Sequence, residues 1–156
     1  MSDTHDNARN VRRIVELLNR ARVERVIHTG DITRPATLEL LGGLEAPLFG
    51  VFGNNDVDRA GLDEAARTQG FQFGESPLRL EWHRRRLAVV HDPEAHPELL
   101  GGGLDVLVHG HHHRRVNERR GGTLVFNPGE CAGMLRGRNA VGVLDLEKLD
   151  AEVLLF

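Results

Sequence analysis

His109-Gly110-His111-His112-His113 crowds four imidazoles into one glycine turn. Neutral imidazole is a borderline ligand for transition-metal ions. On an extended backbone, residues two apart share a face at about 6.5–7 Å. His111 and His113 could therefore serve two cations about 3.5–4 Å apart, or both serve one. Taken alone, with Arg114 and Arg115 following, the cluster is equally well a solvated basic loop. A second grouping, Asp3-Thr4-His5, sets a hard oxygen and a borderline nitrogen two apart, a mixture that suits Mn, Fe or Zn better than Ca. Asp31 after Gly30, Asn54 after Gly53 (with Asn55 and Asp56), and His91 before Asp92 each read singly as ordinary turn residues.

What raises these turns above the ordinary is what precedes them. Apolar runs at Val26–His28, Pro47–Phe52, Leu87–Val90 and Leu104–Val108 read as strands, and each ends in one of these polar groups. Thr123–Phe126 does the same into Asn127-Pro128-Gly129. Where strands run broadly alike, their carboxyl ends converge on one rim. Asp, His and Asn gathered there, with glycine at the turns, have the composition of a two-metal hydrolytic site. His28 lies inside its strand and reads as a satisfied core histidine, while His83 and His96 follow no such run and read as surface residues.

The supporting elements follow from periodicity. Val11, Ile14, Val15 and Leu18 predict an amphipathic helix over Ala8–Ala21, capped by Asp6 or Asn7. Pro35 opens a short helix through Leu41, which Gly42-Gly43 end, and Gly61–Thr68 reads as another. Leu78–Trp82 and Leu87–Val90 form a hairpin around a basic turn, His83–Arg86. Ala140–Leu146 and Ala151–Phe156 form a closing hairpin. With no repeats or linkers, residues 1–156 read as a single domain.

Composition narrows the classes. The chain is 40% hydrophobic and 28% charged, with a net charge of −3, so no global basic field recruits nucleic acid or anionic membrane. Aromatic content of 4%, with no tyrosine, supplies few base-stacking platforms. A single cysteine, Cys131, points to a reducing compartment. No apolar run reaches the length of a membrane span and no signal peptide follows Met1, so the expectation is a cytoplasmic protein.

Read in order, Asp3-x-His5, Gly30-Asp31, Gly53-Asn54-x-Asp56, His91 and Gly110-His111-x-His113 resemble the motif series of the calcineurin-like metallophosphoesterases, from Ser2 to about Gly129. The compact length and Asn127-Pro128-Gly129 are similar to the small bacterial and archaeal phosphodiesterase branch. The resemblance implies an α/β fold, a sandwich of two mixed β-sheets flanked by helices. It implies two divalent transition-metal ions per chain, manganese foremost, with Fe, Ni, Co or Zn as substitutes. Asp3, His5 and His113 would hold the first ion, Asn54, His91 and His111 the second, and Asp31 would bridge them. A metal-bound hydroxide would then attack a phosphodiester. Asn54, Asp56 and His112 would carry catalytic roles, and Asp56, His109 and His112 would orient ligands or shuttle protons. The implied partner is a small phosphodiester, nucleic acid entering only as a short or cyclic nucleotide. No membrane is implied, and homo-oligomerisation stays open.

Three departures qualify the resemblance. The family has an apolar strand ahead of Asp-x-His, and here only two residues precede Asp3, so that first strand is expected to be missing or to lie upstream. Asn55 stands where many members carry the histidine thought to protonate the leaving group. Asp92 stands where glycine is usual. The alternative is a catalytically weak or silent binding or scaffold module on the same fold. Loss of ligand residues would mark it, and here every ligand position is filled.

Overall fold

The computed structural model describes residues 1–156. Its helices match the periodicity. α1 (Ala8–Ala21) buries Val11, Ile14 and Leu18, and Asn7 rather than Asp6 caps it, accepting the Asn10 N–H at 3.1 Å. α2 (Pro35–Leu41) starts with its proline in the first turn, and α3 (Arg59–Thr68) is capped by Asp58. None of the helices is long and apolar enough to cross a membrane.

β1 (Val26–His28), β2 (Leu48–Val51) and β3 (Gln72–Gly74) form a parallel sheet in that order. A five-stranded mixed sheet contains β4 (Leu78–Trp82), β5 (Arg85–Val89), β6 (Val106–Val108), β7 (Val116–Arg120) and β8 (Thr123–Asn127), in the order β4-β5-β6-β8-β7. Its inner strands β5, β6 and β8 are parallel, and β4 and β7 are antiparallel edges. β9 (Ala140–Asp145) and β10 (Asp150–Leu155) make the closing hairpin.

Period-two alternation along the inner strands divides the core. Leu87, Val106, Val108 and Leu124 face Ile27 of β1, Leu144 of β9 and Ala151 of β10, which is the contact between layers. Ala88, Leu107 and Val125 face the other way, onto Leu99 and Leu104. The largest cluster joins Val11, Ile14, Leu18, Leu38 and Leu62 of the helices to Val26 and Leu48 of the small sheet. The result is a mixed α/β sandwich with helices over the smaller sheet.

No strand forms ahead of Asp3; residues 1–3 run beside β1 and bond to it. The Met1 α-ammonium donates to Ile27 O (2.8 Å), Thr29 N–H to Met1 O (3.1 Å) and Asp3 N–H to Gly30 O (3.1 Å), extending the sheet alongside β1. Beyond Met1, a cavity of about 450 Å³ lies between β1 and β9, lined by apolar groups such as Ile27, Val108, Phe126 and Leu144.

Two strands escape the sequence pattern. β3 is a three-residue edge, and β7 offers one valine among exposed polar residues, so neither carries an alternation to detect. Arg119 and Arg120 end β7. The basic turn is also shorter than expected. Only His83 (φ 49°) and Arg84 (φ 59°) lie in it, both left-handed as a two-residue hairpin requires, while Arg85 and Arg86 begin β5.

Candidate metal centre

β1, β2, β5, β6 and β8 all release their chains toward the same rim, and the turns that follow supply the polar groups. Two glycines let those turns meet. A Cβ on Gly30 (φ 99°) would sit 2.6 Å from Gly53 N, and one on Gly110 would lie 2.9 Å from Asp3 Oδ2. The donor residues are themselves held unusually. Asp3, His5, Asp31, His111 and His113 all have positive φ, between 40° and 69°. Each such residue costs about 1–3 kcal/mol and persists only because the surrounding structure over-determines it, and such strain clusters at functional sites.

Two groups of donors form. Asp3, His5 and His113 each bring one ligand atom to within 4.8 Å of the others, and so do Asp3, Asp31 and His91. The first group is the expected first set. Asp3 is common to both groups, whereas the resemblance placed only Asp31 between the two sets. Asp31, almost wholly buried, also spans them, with Oδ2 3.5 Å from His5 Nε2 and Oδ1 3.4 Å from His91 Nε2. The remaining members of the second set close on the same atom. Asn54 Oδ1 lies 2.9 Å and His111 Nδ1 3.2 Å from His91 Nε2.

The chemistry of these atoms fits a cation. His91 Nδ1 faces Thr29 O at 2.8 Å, and a carbonyl only accepts, so the neutral ring carries its proton there. Nε2 then offers a lone pair to a space already edged by Asn54 Oδ1 and Asp31 Oδ1. Asp3 Oδ1 and His5 Nε2 are buried with no hydrogen-bond partner, a costly arrangement without a positive charge between them. Burial holds the Asp3 carboxyl above the usual carboxylate range, against the hydrogen bond from Ser2 and the proximity of His113. A divalent ion would reverse that balance.

Around the donors sit residues that position them. Asp56 is buried, and its carboxylate accepts four backbone N–H groups. Ile32 (2.7 Å) and Thr33 (2.6 Å) donate to Oδ1, and Asp31 (3.0 Å) and Gly53 (2.6 Å) to Oδ2. Of the roles expected of Asp56, these bonds favour the orienting one: both oxygens are engaged in clamping the β1 and β2 turns together, the Asp31 backbone included. Asn55 donates its backbone N–H to Asp31 Oδ1 (2.9 Å) and its amide to Oδ2 (2.7 Å). His28 is buried and neutral. Gly30 N–H donates to its Nδ1 at 3.1 Å, Nε2 lies 3.2 Å from Thr4 Oγ1, and burial drives its pKa well down.

Of the other histidines, His109 is buried with its pKa lowered by burial, and its Nδ1 lies 3.2 Å from Gly110 O. It braces the turn. His112 belongs to neither donor group and stands on the rim, Nε2 3.5 Å from Glu94. His83 pairs with Glu24 and His96 with Glu98, outside both groups. Cys131 is buried, and burial pushes its thiol up to about 11, so it offers no thiolate near neutral pH. Sequence reasoning passed over Glu130, a fully buried carboxylate 3.7 Å from His113 Nδ1. Its signal was available, because it follows the Asn127-Pro128-Gly129 turn at the end of β8, and the strand-end rule applies there too.

Comparison with known proteins bears on the family and the fold. The model of the calcineurin-like phosphoesterase superfamily domain matches residues 1–149. A phosphodiesterase of Methanocaldococcus jannaschii is 35% identical over 154 residues, covering 95% of this chain and 92% of the relative. The solved structure of an archaeal phosphodiesterase superposes with a TM-score of 0.92 at 33% identity, covering 100% of this chain and 97% of that one. The E. coli phosphoesterase Yfce shares the fold, with a TM-score of 0.72 at 24% identity over 93% of this chain and 86% of its own.

Proposed function

Because the chain belongs to the calcineurin-like phosphoesterase superfamily, and so to a family of hydrolases, we propose that it is a phosphodiesterase working with two divalent cations. The observation that carries the reading is the pair of donor groups meeting at Asp3, with Asp31 reaching toward both. Asp3, His5 and His113 would hold one cation and Asn54, His91 and His111 the other, with Asp31 reaching His5 and His91 from between the two sets. A divalent ion such as manganese, held there, would supply a nucleophile by lowering the pKa of water and would offset charge on the phosphoryl oxygens. The strained backbone at five of these residues keeps the donors aimed before any ligand arrives.

The rim supports a diester over a monoester. Asp92 Oδ2 lies 4.0 Å from His111 Nε2, and Glu94 reaches His112. These carboxylates repel a dianionic monoester more than a singly charged diester. Asn55 donates hydrogen bonds but surrenders no proton near neutral pH, so unless His112 at the rim supplies one the leaving group must carry its own charge. A positioned acid typically contributes about 10²–10⁴-fold, and without one the rate should rise steeply as the leaving-group pKa falls.

The test is turnover of a series of aryl phosphodiesters and matched monoesters by the metal-free protein, with and without Mn²⁺. The expected result is Mn²⁺-dependent hydrolysis of diesters with a steep leaving-group dependence. Metal-independent turnover, or none with any divalent ion while the donors bind it, overturns the reading.

A further inference from the structure

Glu130 is an ionisable group buried completely, and the activity just described does not account for it. Its backbone leads from the β8 turn into β9, with Ala140 N–H donating to its carbonyl at 3.0 Å. Its carboxylate accepts Leu135 N–H at Oε1 (2.8 Å) and Met134 N–H at Oε2 (3.1 Å). No lysine or arginine pairs with it, and the one ring nitrogen within reach is Nδ1 of His113, 3.7 Å from Oε2. A carboxylate without water is costly to bury, and two backbone amides account for only part of its bonding capacity.

His113 stands between two carboxylates. Nε2 faces the unpartnered Asp3 Oδ1 at 3.5 Å, and Nδ1 faces Glu130. A neutral imidazole has one N–H, so whichever carboxylate receives it leaves the other nitrogen with a lone pair. We propose that Glu130 is a positioning residue that holds the His113 proton on Nδ1 and so keeps the Nε2 lone pair aimed at the Asp3/His5 donor group. The 3.7 Å separation lies within ion-pair range and beyond a hydrogen bond, so the role requires the ring to close on the carboxylate. The same carboxylate ties the segment bearing Met134 and Leu135, both substantially exposed, to this metal ligand. The inference rests on His113 being a metal ligand, as proposed above.

Its test needs no turnover. In metal-free protein labelled with ¹⁵N and held at a pH where the ring is neutral, the two ring nitrogens of His113 are distinguishable by NMR, with His113→Gln identifying the signals. The parent should show the Nδ1–H form. Glu130→Gln directs an amide N–H at Nδ1 and should shift the population to Nε2–H. Mn²⁺ affinity should fall by about 10–100-fold, the usual effect of removing such a partner. An Nε2–H ring in the parent overturns the proposal whether or not the variant folds. So does a Glu130→Gln protein with unchanged tautomer and Mn²⁺ affinity. Failure of the diesterase reading alone would leave the tautomer result standing, which separates the two.

Discussion

Asp56→Asn puts the clamp between the β1 and β2 turns to a quantitative test. The amide nitrogen replaces one carboxylate oxygen, and each oxygen now accepts two backbone N–H groups at 2.6–3.0 Å. Two buried donors therefore lose their acceptor and face another N–H. An unsatisfied buried donor costs about 1–3 kcal/mol, which makes the loss roughly 4 kcal/mol for the pair. For a chain of this size, 1 kcal/mol moves Tm by about 2–4 °C, so the melting temperature should fall by roughly 8–16 °C. Domains are typically stable by about 5–15 kcal/mol, so the variant should fold at room temperature. The same clamp sets the turn from which Asn55 grips Asp31, so Mn²⁺ affinity should fall as well. Calorimetry of the metal-free parent and variant, followed by Mn²⁺ titration, measures both effects. A variant that melts within a degree or two of the parent, binds Mn²⁺ normally and yet fails to turn over would show that Asp56 acts in the chemistry and that the clamp argument is wrong.

Replacing Asp31 by Ala should sharply reduce the metal content found by elemental analysis and abolish turnover, because the carboxylate reaches both His5 and His91; His83→Ala and His96→Ala should leave both unchanged. His28 gives the metal-free protein a pH dependence of known sign. Its folded pKa lies well below the unfolded value near 6.5, so between those values only the unfolded chain binds the proton. Its stabilising contribution is complete above pH 6.5 and is lost as pH falls through the window; His28→Asn should flatten that part of a Tm-against-pH curve. Asp3, raised above 3.8, runs the opposite way, its contribution being full below 3.8 and lost as pH rises through its folded value. Fusing about five alternating apolar residues ahead of Met1 should place a strand between β1 and β9, raising Tm and tightening Mn²⁺ binding through edge pairing and apolar burial. A Gly-Ser extension of equal length should do neither, and identical behaviour of the two would show that the cavity takes no strand.

The residue pattern by itself determined more of the site than of the sheets around it. α1 was readable to its ends because Val11, Ile14 and Leu18 are local signals with a cap beside them. Asp31, Asn54, His91, His111 and His113 were readable because each follows an apolar run, and the parallel strands β5, β6 and β8 are buried on both faces, which makes such runs continuous; Asp3 and His5 were readable only as a motif. Polar edges such as β7 have no comparable pattern, since their pairing rather than their burial makes them strands. Only the tertiary structure decided that Asp56 is a clamp, that Asp3 serves both donor groups, and that Glu130 stands behind His113. Asp56 meets its amide partners Ile32 and Thr33 across more than twenty residues of chain. The left-handed backbone at Asp3, His5, Asp31, His111 and His113 is likewise imposed by neighbouring turns and not by local preference. A side chain's type is written in the sequence, but whether its oxygens face a cation or a row of amides depends on which distant segments the fold brings against it.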